Sequence, residues 1–128
     1  MKSALKILFV DSLGGLVAGF CTIMLGPLLT VWYGWPAGFA LFIGLVNISY
    51  GCFSGFLALR LYRKDRLSRG MVIILLLANS IWAGQCFTQV WWLHENASYL
   101  GLAHLLFEGL WVGGLAYLEA RIVLPFVT

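Results

Sequence analysis

Glu108 is the residue of this chain with the clearest capacity for chemistry. It lies in an apolar run, and a carboxyl facing hydrocarbon costs several kcal/mol, so such a side chain turns toward a bundle interior. There it can hold a proton or a ligand, with an affinity set by burial and neighbours, or act as polar glue between helices. His104 precedes it by four residues, which makes the two neighbours on one helical face. Glu119 follows eleven residues later, within about 20° of the same face. The stripe His104, Glu108, Glu119 runs from the external third of a membrane to its cytoplasmic edge.

Other polar residues interrupt the remaining apolar runs. At a rise of ~1.5 Å per residue, Glu108 lies ~13 Å into its run, and Asn47 and Asn79 come out at similar depth. A carboxyl and two carboxamides are thus predicted at one level, with the asparagines tying helices together. Asn79, Cys86 and Gln89 share a face with Gln85 on its flank, which predicts a polar seam between the third and fourth apolar runs. The candidates for binding a ligand or proton are Glu108, His104, Asn79, Asn47, Gln89 and Gln85. Asp11 and Arg121 fall near the cytoplasmic edge of the first and last runs. They read as an ion pair, with Glu119 as a third member.

Catalytic patterns are lacking. No Ser/His/Asp arrangement, phosphate loop or paired carboxylate is legible, so no catalytic residue is assigned and the enzyme reading is disfavoured. His104 beside Glu108 invites a metal or haem, but metal sites need three or four ligands at one depth. The other histidine, His94, lies beside Glu95 in a loop. No metal and no cofactor are expected. Cys21, Cys52 and Cys86 show no CxxC spacing and read as small packing residues.

The elements that must position these groups are membrane helices. The chain has 128 residues, 62% hydrophobic and 10% charged, with a mean hydropathy of +0.94. A soluble domain needs a polar shell, and soluble chains carry about 25% charged residues. Four apolar stretches, approximately 5–30, 36–62, 70–92 and 98–123, each reach the ~20 residues that a crossing requires. In lipid only helices and closed barrels satisfy every backbone group, and these runs are too long and unalternating for barrel strands. The predicted fold is all-α: one domain over 1–128, an antiparallel bundle of four transmembrane helices. The first stretch is too long for the core of a cleaved leader and is read as a span.

Charge placement predicts orientation. Arg60, Arg63, Lys64, Arg66 and Arg69 sit around the second connection, Lys2 and Lys6 near the start, and Arg121 near the end. All fall on one side of a four-span bundle, which the positive-inside rule makes cytoplasmic, with both termini there. Trp32, Tyr33, Trp35, Trp91, Trp92 and Tyr99 gather at the opposite boundary, as interfacial aromatic rings do. Asn96-Ala97-Ser98 is formally a glycosylation sequon, read as chance. Gly15/Gly19, Gly51/Gly55 and Gly109/Gly113 have the GxxxG spacing that lets helices approach closely.

Several short motifs carry a family resemblance. They are the early Asp11 followed by small residues, Pro27-Leu28-Leu29 with Gly34-Trp35-Pro36, the Asn79 and Trp82 pair, and Leu118-Glu119. Over most of its length the chain resembles an uncharacterised group of small four-helix bacterial integral membrane proteins. It departs from that group at Glu108, where glutamine is expected, and in the polar His94-Glu95-Asn96 loop. The resemblance implies a bacterial inner-membrane protein and adds no chemistry.

The functional expectation is a partner-binding or accessory membrane protein. Its partners are the lipid bilayer and either a second copy or another membrane protein; nucleic acid is not among them. The alternative is a proton-coupled small-molecule transporter using an intramembrane glutamate. A second alternative is a membrane enzyme or redox protein with a site near the external face, built from His94, Glu95, His104 and Glu108.

Overall fold

The computed structural model describes residues 2–127, and the regular elements among them are all helices. They are α1 (Lys2–Met24), α2 (Gly26–Tyr33), α3 (Phe39–Tyr62), α4 (Arg69–Leu93) and α5 (Tyr99–Leu118). The last runs on through a π-helical turn, Glu119–Val123, into a short α6 (Leu124–Phe126). Four stretches are long and apolar enough to cross a membrane: α1, α3, α4 and the continuous α5–α6 segment. The protein is therefore an all-α bundle of four candidate membrane spans.

Two buried clusters fix the up-and-down course of the chain. At one end Ala4 and Leu8 of α1 pack with Leu57 and Leu61 of α3, Val72 of α4 and Val123 of the π-turn. At the other, Trp35 and Ile43 pack with Trp82 and Cys86 of α4 and with Leu105 of α5. Consecutive spans pair as hairpins, α1 on α3 and α4 on α5, and the two hairpins touch each other less closely.

The α1–α3 hairpin is held by close backbone approach. A Cβ at Gly15 would stand 2.8 Å from the Asn47 carbonyl oxygen, and one at Gly19 would stand 2.7 Å from that of Gly44. Ser12 Oγ crosses the same seam to donate to the Gly51 carbonyl at 2.8 Å. Of the three glycine pairs, Gly15/Gly19 and Gly51/Gly55 are consumed inside this one interface. Gly109 lies under the Phe87 ring of α4, whereas Gly113 has only ordinary contact with Ala83.

Two boundaries differ from the sequence reading. The first stretch is not one helix over 5–30: it breaks at Leu25 (φ −94°, ψ 6°), just before Pro27. Proline has no N–H and its ring crowds the carbonyl four residues back, so the straight helix cannot continue. The broken piece, α2, ends at Gly34, whose φ of +67° is readily available only to glycine. Its last carbonyls are not left bare. Ser98 donates its N–H to the Tyr33 carbonyl and its Oγ to that of Trp32, both at 2.8 Å. Ser98 Oγ also accepts the Gly101 N–H at 3.2 Å as the cap of α5. The serine of the apparent sequon is a structural joint.

The second difference is the π-turn. Leu124 N–H donates to the Glu119 carbonyl, one residue further back than in an α-helix. Pro125 cannot donate to the Arg121 carbonyl and crowds it, and the widened turn accommodates the ring. The fourth span thereby runs to Phe126 rather than ending at residue 123.

Candidate functional site

The buried stripe of α5 brings Glu108 inward beside Leu105, Gly109 and Val112, and Glu119 continues it. Glu108 is 7% exposed. Its Oε1 accepts from Asn47 Nδ2 of α3 at 2.7 Å, and its Oε2 faces Cys86 Sγ of α4 at 3.4 Å. Asn47 Nδ2 also donates to the Ile43 carbonyl of its own helix at 3.1 Å, so both amide hydrogens are used. His104 lies one turn toward the aromatic end, half-buried, with Nδ1 at 3.4 Å from the Tyr33 hydroxyl. The Tyr33 and Trp35 rings stand edge-on to the imidazole.

A second polar cluster lies nearer the basic end. Asn79 Nδ2 of α4 donates to Asp11 Oδ2 of α1 and to Glu119 Oε1 of the π-turn, each at 3.0 Å. All three are buried, with Glu119 at 0% exposure. One carboxamide thus joins two acids from the first and last spans.

This arrangement corrects the single polar level. Asn47 and Glu108 do meet, but Asn79 belongs to the other layer. By helical rise, Asn79 is ~15 Å from the basic end of α4, whereas Asn47 is ~12 Å from the aromatic end of α3. Both helices exceed the hydrocarbon thickness, so equal distances from opposite ends are different depths. The seam between α4 and α5 is also partial. Cys86 reaches Glu108, but Gln85 and Gln89 are half-buried and make no side-chain hydrogen bond among the described residues.

The ion pair at the cytoplasmic edge is corrected as well. Arg121 is exposed and bridges to neither Asp11 nor Glu119. Two residues along the helix is about half a turn, so Arg121 points out where Glu119 points in. Among the described residues the ion pair present joins His94 and Glu95 at 3.7 Å, both on the exposed loop. His94 stacks on Trp91 and its ring nitrogen contacts the Trp91 carbonyl, away from Glu108. No group of three or more His, Cys, Asp or Glu is placed to hold a metal among the described residues.

Between the hairpins a cleft of about 530 Å³ opens along α1 and α5. Glu108, Asn47, Asp11, Asn79 and His104 are among its polar groups. Gly14, Gly15 and Ala18 of α1 form one wall, and Ala103, Phe107 and Trp111 of α5 form the other. The space exists because the α1 face beside Asp11 carries small residues. The cleft is framed by α2 packed on α5 at the aromatic end and by the π-turn packed on α1 at the basic end. Its α5 rim is heavily exposed, with Phe107 at 68% and Trp111 at 44%. In a bilayer that rim faces lipid.

The aromatic lining, Tyr33, Tyr50, Phe107 and Trp111, was missed in the sequence reading. The run Gly14-Gly15 with Ala18 one turn on was the available signal, since small residues on an Asp-bearing helix make room beside the acid. No family model, curated protein or solved structure matches this chain. Its function must be argued from the geometry.

Proposed function

We propose that this chain is a multi-pass membrane protein that binds a small amphipathic molecule in the α1–α5 cleft, as a proton-coupled transporter does. The observation that carries the reading is the cleft itself. A space of about 530 Å³, the size of small-molecule sites, brings the Glu108 carboxyl to membrane depth between apolar walls. Such a residue can exchange a proton for a ligand. The lipid-facing rim offers an entry route from the bilayer. The charge distribution supports an orientation with both termini in the cytoplasm, and the family resemblance supports a bacterial inner membrane.

Native mass spectrometry of gently extracted protein, beside the Glu108→Gln variant, tests this. Glutamine keeps a carbonyl for Asn47, so the bundle is expected to survive. A small molecule retained by the wild type and lost from the variant is the expected result. Identical spectra with no small molecule in either would count against the reading.

The partner-binding or accessory reading has one observation in its favour. Gly14 lies against Trp111 across the cleft, and a single foreign helix laid along that line would cover both rims. The glycine pairs no longer argue for it, because two of the three are occupied inside the chain. A retained protein partner or second copy, indifferent to Glu108→Gln, would bring this reading to the front.

A further inference from the structure

We propose that the ligand of the cleft is a cation, an organic ammonium with an aromatic or alkyl body. This rests on the ligand-binding reading above and names its substrate class.

The argument begins with charge balance. Asp11 and Glu108 both line the cleft, and no lysine or arginine is among its lining residues. Glu108 receives the Asn47 carboxamide, while Asp11 shares that of Asn79 with Glu119, to which it is also hydrogen-bonded, and none of these partners brings a positive charge. A buried carboxylate without a cation is several kcal/mol unfavourable after relaxation. A cation entering the cleft would supply the charge that these acids lack.

The walls agree with that sign. Tyr33, Tyr50, Phe107 and Trp111 supply four aromatic rings to the same space as the two acids. The negative face of such a ring attracts an ammonium group, more strongly once both are removed from water. An anionic ligand would meet two acids and these rings, with no lysine or arginine and only the half-buried His104 imidazole to receive it. A neutral ligand would bury apolar surface but leave the acids unanswered. Carboxyls combined with aromatic rings select the cation.

At Glu108 the carboxylate would face the ammonium. Other ionisable groups around this acid are Cys86 from α4, His104 on its own helix, Tyr33 from α2, Tyr50 from α3 and Asp11 from α1.

The test compares benzyltrimethylammonium with neopentylbenzene, its uncharged carbon isostere, by titration calorimetry on the protein in lipid nanodiscs. Protein-free nanodiscs give the blank. The wild type is expected to bind the ammonium about tenfold or more tightly than the isostere. Glu108→Gln and Asp11→Asn are each expected to weaken the ammonium about tenfold and leave the isostere unchanged. The wild-type comparison needs no variant, so a misfolded mutant does not obstruct the answer. Equal binding of both probes would overturn the inference and leave the cleft as a ligand site. Binding of neither would also overturn it, and the mass-spectrometric search for a co-purifying molecule would then decide the reading beneath it.

Discussion

Asn79 is the residue on which the basic half of the bundle depends. Its two amide hydrogens go to Asp11 and Glu119, so it links the first, third and last spans through one side chain. Removing one partner of a buried hydrogen bond leaves the others unsatisfied, at about 1–3 kcal/mol and more for charged groups. Asn79→Leu is expected to lower the unfolding free energy in detergent by about that amount. Asn79→Asp should be worse, because it places a third carboxyl among two. The exchange Asp11→Asn with Asn79→Asp restores one amide and two acids, and most of the lost stability should return. A double variant as unstable as Asn79→Asp alone would show that direct contact is not the source. The polar residues themselves were legible in the sequence, because an acid or amide in a long apolar run is conspicuous. Their partners were only partly so. Depth arithmetic paired Asn47 with Glu108, but it also drew Asn79 to that level and Arg121 to Asp11, since it knows neither offset nor outward direction.

Among the elements, the α1–α3 hairpin is the rigid wall against which the cleft is formed. Its glycines divide cleanly into those that are pressed and those that are free. Gly15 and Gly19 would drive a Cβ to 2.8 and 2.7 Å from backbone carbonyl oxygens, and backbone cannot step aside as a flexible side chain can. Gly84 on α4 and Gly114 on α5 have nothing within 4 Å of that position. Alanine is a better helix former than glycine by about 1 kcal/mol. Gly84→Ala and Gly114→Ala are therefore expected to be neutral or slightly stabilising in thermal unfolding. Gly15→Ala and Gly19→Ala should each lower the midpoint, and their effects should not add, because either one alone parts the same seam. Equal behaviour of all four would mean the hairpin is not closely packed. The four spans were legible from hydropathy and length. The break at Leu25 was not, because Pro27 is as compatible with a kinked helix as with a broken one until the course of α2 is known. The π-turn had no separate signal, since Pro125 reads first as a helix end.

For the whole molecule, the two polar layers make orientation matter to function. The Asn47–Glu108–Cys86 layer lies toward the aromatic end, and the Asp11–Asn79–Glu119 layer toward the end that carries the bases. Along α4, Asn79 and Cys86 are about 10 Å apart by helical rise. Positive-inside insertion would place Glu108 in the outer half of the membrane and the acid pair in the inner half. This can be checked with cysteines introduced one at a time in a background where Cys21 and Cys52, both exposed on the bundle surface, are replaced by alanine and the buried Cys86 is kept. Asn96→Cys should react with an impermeant maleimide in intact cells, whereas Arg66→Cys should react only after the membrane is opened. Changing Arg63, Lys64 and Arg66 together to asparagine removes three of the eight bases on that side, and a more mixed labelling pattern should appear. The opposite pattern in the starting protein would turn the bundle over. A cation bound at Glu108 would then be met from the cytoplasmic half, so the labelling result sets the side of the membrane nearer to that carboxyl.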